Sequence, residues 1–124
     1  MLDIKGSVIS LTRGDSAYIT LQINTGGVNA YKLQDGDIVR CQVRPGVNTE
    51  ELLFETPFGL WGEGADLELQ PDGRSIVWHI KPEDTAKADP NTEYYWDAQL
   101  QVSNGDVFTF IPASRFKILD EVTL

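Results

Sequence analysis

The chain has 124 residues, 41% of them hydrophobic, which is the size of one domain and enough to bury a core without disulfide or metal cross-links. A formal net charge of -9 argues against nucleic acid as a partner, because a protein that binds backbone phosphates presents a basic face. The ten lysines and arginines are dispersed, and no segment approaches about 18 consecutive apolar residues. We therefore predict one domain over residues 1–124, with neither nucleic acid nor membrane as a partner.

The first predicted elements are two strands joined by a tight turn. Residues 7–11 and 17–24 carry apolar side chains at every second position, the pattern of a strand with one buried face. Between them lies Arg13-Gly14-Asp15, the tripeptide of many integrin ligands, but Gly-Asp is also a common turn sequence. We predict a hairpin at this point, with the tripeptide in its turn.

The next segment predicts one further strand and then a long loop. Val39, Cys41 and Val43 alternate with polar residues until Pro45-Gly46 ends the strand. The segment from Val47 to Asp66 is acidic and contains proline, glycine and aromatic residues, and we predict a loop there, although residues 51–55 also fit a strand. Whether this loop binds a cation or a protein partner is left open by the sequence.

The second half of the chain predicts two hairpins separated by a helical turn. Residues 66–70 and 75–80 alternate on either side of a Pro-Asp-Gly turn, and Pro82 with two acidic residues after it favours one helical turn near residues 82–88. The alternation resumes over residues 94–102, and an Asn-Gly turn predicts a hairpin with the final strands at 107–111 and 115–118.

Counted together, these elements predict an all-β protein of about seven to nine short strands. Such strands at intervals of about 8–12 residues are typical of a sandwich or a barrel. The strands differ in length and a helical turn interrupts one connection, which favours a β-sandwich with a crossover between its sheets.

No motif in the chain predicts an enzyme, a cofactor or a metal site. His79 is the sole histidine and no nucleophile motif accompanies it. Cys41 falls on the apolar face of its strand, so we interpret it as part of the core. One histidine and one cysteine do not supply a zinc ligand set, and the acidic residues contain no twelve-residue calcium loop.

The aromatic residues separate into two groups. The inward positions of the predicted strands include Tyr94, Trp96, Phe108, Phe110 and Phe116, and these predict core side chains. The candidates for a binding surface are Tyr31, Phe58 and Trp61, because they fall in turns or in the glycine-rich loop. Rings at such positions either stack on a sugar, dock a protein partner or fold back over the edge of the core.

Residues toward the C-terminal end of the chain form a recurring pattern: Pro82, Asp84, Thr85 and Ala86; Tyr94, Trp96, Asp97, Gln99 and Leu100; Asn104, Gly105, Val107 and Thr109; and Val122 and Thr123. In this pattern the chain resembles small structural proteins of tailed phages and prophages of Gram-positive bacteria. The first predicted hairpin, around Gly14-Asp15, also looks like that family's first hairpin. About two-thirds of the chain is covered, the middle loop is not, and Trp96 stands where that family has a second tyrosine.

The resemblance implies an immunoglobulin-like antiparallel β-sandwich similar to the N-terminal domain of phage baseplate upper proteins. It also implies a non-enzymatic structural or adaptor role in the tail or baseplate of the virion, after synthesis in the bacterial cytoplasm. The expected partners are other tail or baseplate proteins, or further copies of the same chain in a homo-oligomer. The alternative is a carbohydrate-binding module that recognises host cell-surface glycans.

Overall fold

A computed structural model describes residues 3–5, 8–24, 30–47, 49–56 and 66–120. Within these ranges the chain forms nine strands and one short helix, which confirms the all-β prediction. They are β1 (Asp3–Lys5), β2 (Val8–Thr12), β3 (Ala17–Leu21), β4 (Ile38–Arg44), β5 (Phe54–Glu55), β6 (Leu67–Leu69), β7 (Ile76–Ile80), α1 (Pro82–Ala86), β8 (Tyr94–Gln101) and β9 (Val107–Leu119).

The strands form two sheets with the core between them. The larger sheet has the order β1-β2-β9-β8-β4-β5, and the smaller has the order β3-β7-β6. The inward positions predicted for β4, β7 and β8 are buried, because each strand points alternate side chains toward the opposite sheet. Trp78 of the smaller sheet lies 5.6 Å from Trp96 of the larger sheet and 6.4 Å from Phe116, measured between ring centroids. These rings join the two layers.

The strand order agrees with the immunoglobulin-like sandwich that the resemblance implies. A variable-type immunoglobulin domain has the second, fifth and fourth strands in one sheet and the third, sixth and seventh in the other, with an extra strand beside the third. Strands β3, β7 and β6 form the first set, and β4, β8 and β9, with β5 beside β4, form the second. The fold also has a tyrosine corner: the Tyr94 hydroxyl at the start of β8 accepts a hydrogen bond of 2.8 Å from the Asp89 backbone N–H.

The first predicted hairpin is wrong. Strands β2 and β3 belong to different sheets, and β2 instead pairs in parallel with the end of β9, so the sandwich is not entirely antiparallel. Two strands that face each other across a core show the same alternation as two that pair in one sheet, since both bury one face. The Gly14-Asp15 turn therefore carries the chain from one sheet to the other.

The other predicted connections are mostly confirmed. Strands β6 and β7 form one hairpin, β8 and β9 form another, and α1 lies within the predicted helical segment. The predicted middle loop contains the short strand β5, which pairs with β4 and buries Phe54. The two predicted final strands are one strand, β9, with one register shift against β8 at the predicted break and another between Thr109 and Ile111.

Candidate interaction surface

The first half of β9 is an open edge of the larger sheet. On one side β9 pairs with β8 from Val107 to Phe116, whereas on the other side β2 pairs only with residues from Phe116 to Leu119. Among the residues that the structure describes, no strand lies against residues 107–113 on the β2 side. The backbone groups that point to that side are thus available for pairing with another strand.

Apolar side chains are exposed along this edge. Val107 is 48% exposed and Phe108 is 54% exposed, and Phe110 and Ile111 beside them are half-buried against the core. The sequence placed Phe108 in the core, and this prediction is wrong. Phe108 lies opposite Leu100 on β8, but Leu100 is 5% exposed, so the covered part of the sheet ends between these two strands. Alternation specifies which face a residue lies on, and not how far the opposite sheet extends.

Residues 107–113, which we call the β9 edge segment, contain no ionisable side chain. In a chain with a net charge of -9, this makes the segment a neutral surface on an acidic protein. Pro112 lies within it, as is typical of edge strands, because proline has no N–H to donate to a neighbouring strand. Asp106 precedes the segment and Arg115 lies just beyond its other end.

Tyr31, one of the three aromatic candidates, is held within the fold. Its ring is half-buried against the core, and its hydroxyl donates a hydrogen bond of 2.5 Å to Asp37 Oδ2. The same carboxylate oxygen accepts a bond of 2.8 Å from the Gln34 backbone N–H, and Asp37 is 3% exposed. The hydrogen bond to Asp37, with desolvation and the nearby negative charge, raises the pKa of Tyr31 to about 12. Tyr31 therefore closes the loop before β4.

The other two candidates, Phe58 and Trp61, lie outside the described residues, so the proposed three-ring surface stays a prediction. The described ring that sequence reasoning missed is Tyr18 on β3, which is 66% exposed. It stacks against His79 of β7, with the ring centroids 4.3 Å apart and the planes 6° from parallel. The two residues are direct cross-strand partners, so pairing β3 with β7 would have revealed this stack.

The Arg-Gly-Asp turn is stabilised by hydrogen bonds to a buried side chain of α1. Gly14 has a φ of 85°, which favours glycine, and its N–H donates a bond of 2.9 Å to the Thr85 hydroxyl of α1. That hydroxyl lies 2.9 Å from the Asp15 carbonyl oxygen, to which it donates, and Thr85 is fully buried. Arg13 forms an ion pair of 3.3 Å with Asp120. These contacts give the tripeptide a structural role in connecting β2 to β3.

Metal-ligating side chains are not grouped together in the part of the chain that the structure describes. The described residues contain no group of three histidine, cysteine, aspartate or glutamate side chains that could hold a metal ion. Cys41 is completely buried, and this desolvation raises the pKa of its thiol above the usual range. Burial likewise raises the pKa of Asp97 on the outer face of the larger sheet, although Arg40 and Arg44 act in the opposite direction. A recess of about 210 Å³ lies beside the loop that precedes β4, and Leu33 and Leu69 are among the residues that line it.

Comparison with known proteins adds no family to these observations. The chain matches no family model, and no curated protein matches it. Within the described part of the chain, no helix is long and apolar enough to span a membrane.

Proposed function

We propose that this protein is a non-enzymatic building block that acts through protein–protein contacts, and that it serves as a structural or adaptor protein of a phage tail or baseplate. The observation that carries the first part is the open β9 edge segment with its exposed Val107 and Phe108. The second part follows from the resemblance of both ends of the chain to phage structural proteins.

The exposed edge supports an assembly role on physical grounds. Proteins that remain alone in solution protect their sheet edges with charges, short strands or covering loops, because an unpaired edge recruits other strands. This edge contains a proline and two register shifts, which also protect edges, but it has no charge over seven residues and two of its apolar side chains are about half exposed. Such a surface is typical of a contact that a partner covers.

The direct test is to look for the protein in virus particles. Phage particles are purified from the bacterial strain that carries the gene, after induction, and their proteins are quantified by mass spectrometry. We expect the chain at a fixed copy number relative to the major tail proteins. Its absence from intact, infectious particles would refute the virion role.

The second proposal, recognition of host cell-surface glycans, is favoured by one observation. Tyr18 presents an exposed ring that stacks through one face on His79, and exposed aromatic rings are suited to packing against sugars. A glycan array distinguishes the proposals. Binding that Tyr18→Ala abolishes would support the glycan role, and an array without hits for the folded wild-type protein would exclude it for the glycans tested.

A further inference from the structure

We propose that the partner of the β9 edge segment is the same segment of a second copy of this chain, with the two segments antiparallel across a two-fold axis. The inference rests on the proposed assembly role and specifies the first contact through which assembly occurs. It makes the larger sheets of the two copies continuous, since β9 of one copy then lies beside β9 of the other.

The charge distribution allows two copies to approach at this segment and favours the antiparallel orientation. Two chains of net charge -9 repel each other over most of their surfaces, so they approach best where both are neutral, and the β9 edge segment is neutral over its whole length. The ends of the segment differ in sign, with Asp106 at one end and, near the other, Arg115, whose guanidinium also lies 3.7 Å from the exposed Glu93 carboxylate. An antiparallel pair brings the acidic end of each copy to the basic end of its partner, whereas a parallel pair brings like charges together.

The apolar side chains agree with this arrangement. Val107 lies opposite Gln101, on the outer face of the sheet, and Phe108 lies opposite Leu100, on the inner face. A two-fold axis near the middle of the segment therefore buries apolar surface on both faces of the joined sheet. Seven residues from each copy form a small contact, in which Pro112 and the register shifts of β9 reduce the number of backbone hydrogen bonds, so we expect a weak dimer, with a dissociation constant in the micromolar range or above.

Sedimentation equilibrium with matched charge variants tests the contact. Val107→Lys introduces a charge into the edge, and Thr20→Lys makes the same change at an exposed site on β3 of the other sheet. Both variants lower the net negative charge by one, so general repulsion between copies decreases equally in both. We expect wild type and Thr20→Lys to dimerise alike, and Val107→Lys to raise the dissociation constant at least tenfold. Both proteins must keep the wild-type circular dichroism spectrum and melting temperature.

Cross-linking identifies the surface independently. Cys41, the only cysteine, is buried, so an introduced cysteine is the sole reactive thiol of the folded protein. With a short bis-maleimide, we expect Thr109→Cys to form covalent dimers and Thr20→Cys to remain monomeric. A wild-type protein that stays monomeric at near-millimolar concentration, or a dimer that Val107→Lys leaves unchanged, would overturn the inference.

The search for the protein in virions tests the proposed function independently of the dimer. Virions that contain a protein shown to be monomeric would leave the structural role in place and remove only the β9 pairing. A dimer that is linked through β9 but absent from virions would support the β9 pairing and refute the structural role in the virion.

Discussion

Replacing Thr85 by valine should lower the free energy of unfolding more than replacing it by serine. Valine has nearly the shape of threonine but no hydroxyl, so Thr85→Val removes the bonds to the Gly14 N–H and the Asp15 carbonyl and keeps the packing. Each such bond contributes about 1 kcal/mol, and backbone groups left without a partner add a penalty. We expect Thr85→Val to lower the free energy of unfolding by about 2–3 kcal/mol. Thr85→Ser keeps the hydroxyl and loses one buried methyl group, which costs about 1 kcal/mol.

Urea unfolding followed by tryptophan fluorescence measures the difference, since Trp78 and Trp96 are both buried in the core. With an m-value of about 2 kcal/mol/M, the midpoint should fall by about 1 M or more for valine and by about half that for serine. The m-value itself should not change. A valine variant as stable as wild type, or a serine variant less stable than the valine variant, would show that packing and not the hydroxyl holds α1 to the β2–β3 connection.

Three further results are expected. Tyr94→Phe should lower the free energy of unfolding by about 1–2 kcal/mol, because the Asp89 N–H loses its acceptor; a loss below about 0.5 kcal/mol in urea unfolding would contradict this. In the folded protein the pKa of Tyr31 is raised from 10.0 to about 12 by its bond to Asp37, so the stability from this pair is complete below pH 10 and is lost as the pH rises toward 12. Tyr31→Phe should therefore lose less stability than wild type over that interval, and equal losses in alkaline unfolding curves would refute the assignment. Cys41 should resist maleimide at pH 7 until urea unfolds the protein, and rapid labelling of the native protein would show that the thiol is accessible.

The fold class was predictable from the sequence because the strands that form the core show a regular alternation of apolar and polar residues. Every second residue of β4, β7 and β8 is buried, and a period of two is visible in the sequence without knowledge of any partner strand. The two later hairpins were also predictable, since short turns with Asp-Gly or Asn-Gly set the pairing locally. Gly105, with a φ of 96°, occupies the position where such a turn requires glycine.

Features that depend on distant parts of the chain were not predictable in the same way. The parallel pairing of β2 with β9 joins residues more than a hundred positions apart, and nothing in either strand specifies it. The exposure of Phe108 depends on where the opposite sheet ends, and the Tyr18–His79 stack depends on which strand lies beside β3. Alternation assigns a residue to a face of its own strand, but the surface that a partner meets is set by the boundaries between elements.

The residues that carry the resemblance to phage proteins have two kinds of role in the structure. Thr85 and Tyr94 hold backbone segments in place, and Gly105 forms a turn, so the fold of this chain accounts for these residues without any partner. Val107 and Thr109 differ, because both are exposed on the open edge of β9. The described hydrogen bond of the Thr109 side chain is a weak one, which its hydroxyl oxygen accepts from Gln99 Nε2 at 3.4 Å. A framework role does not account for these two positions, whereas the contact between copies that we propose along the β9 edge segment would.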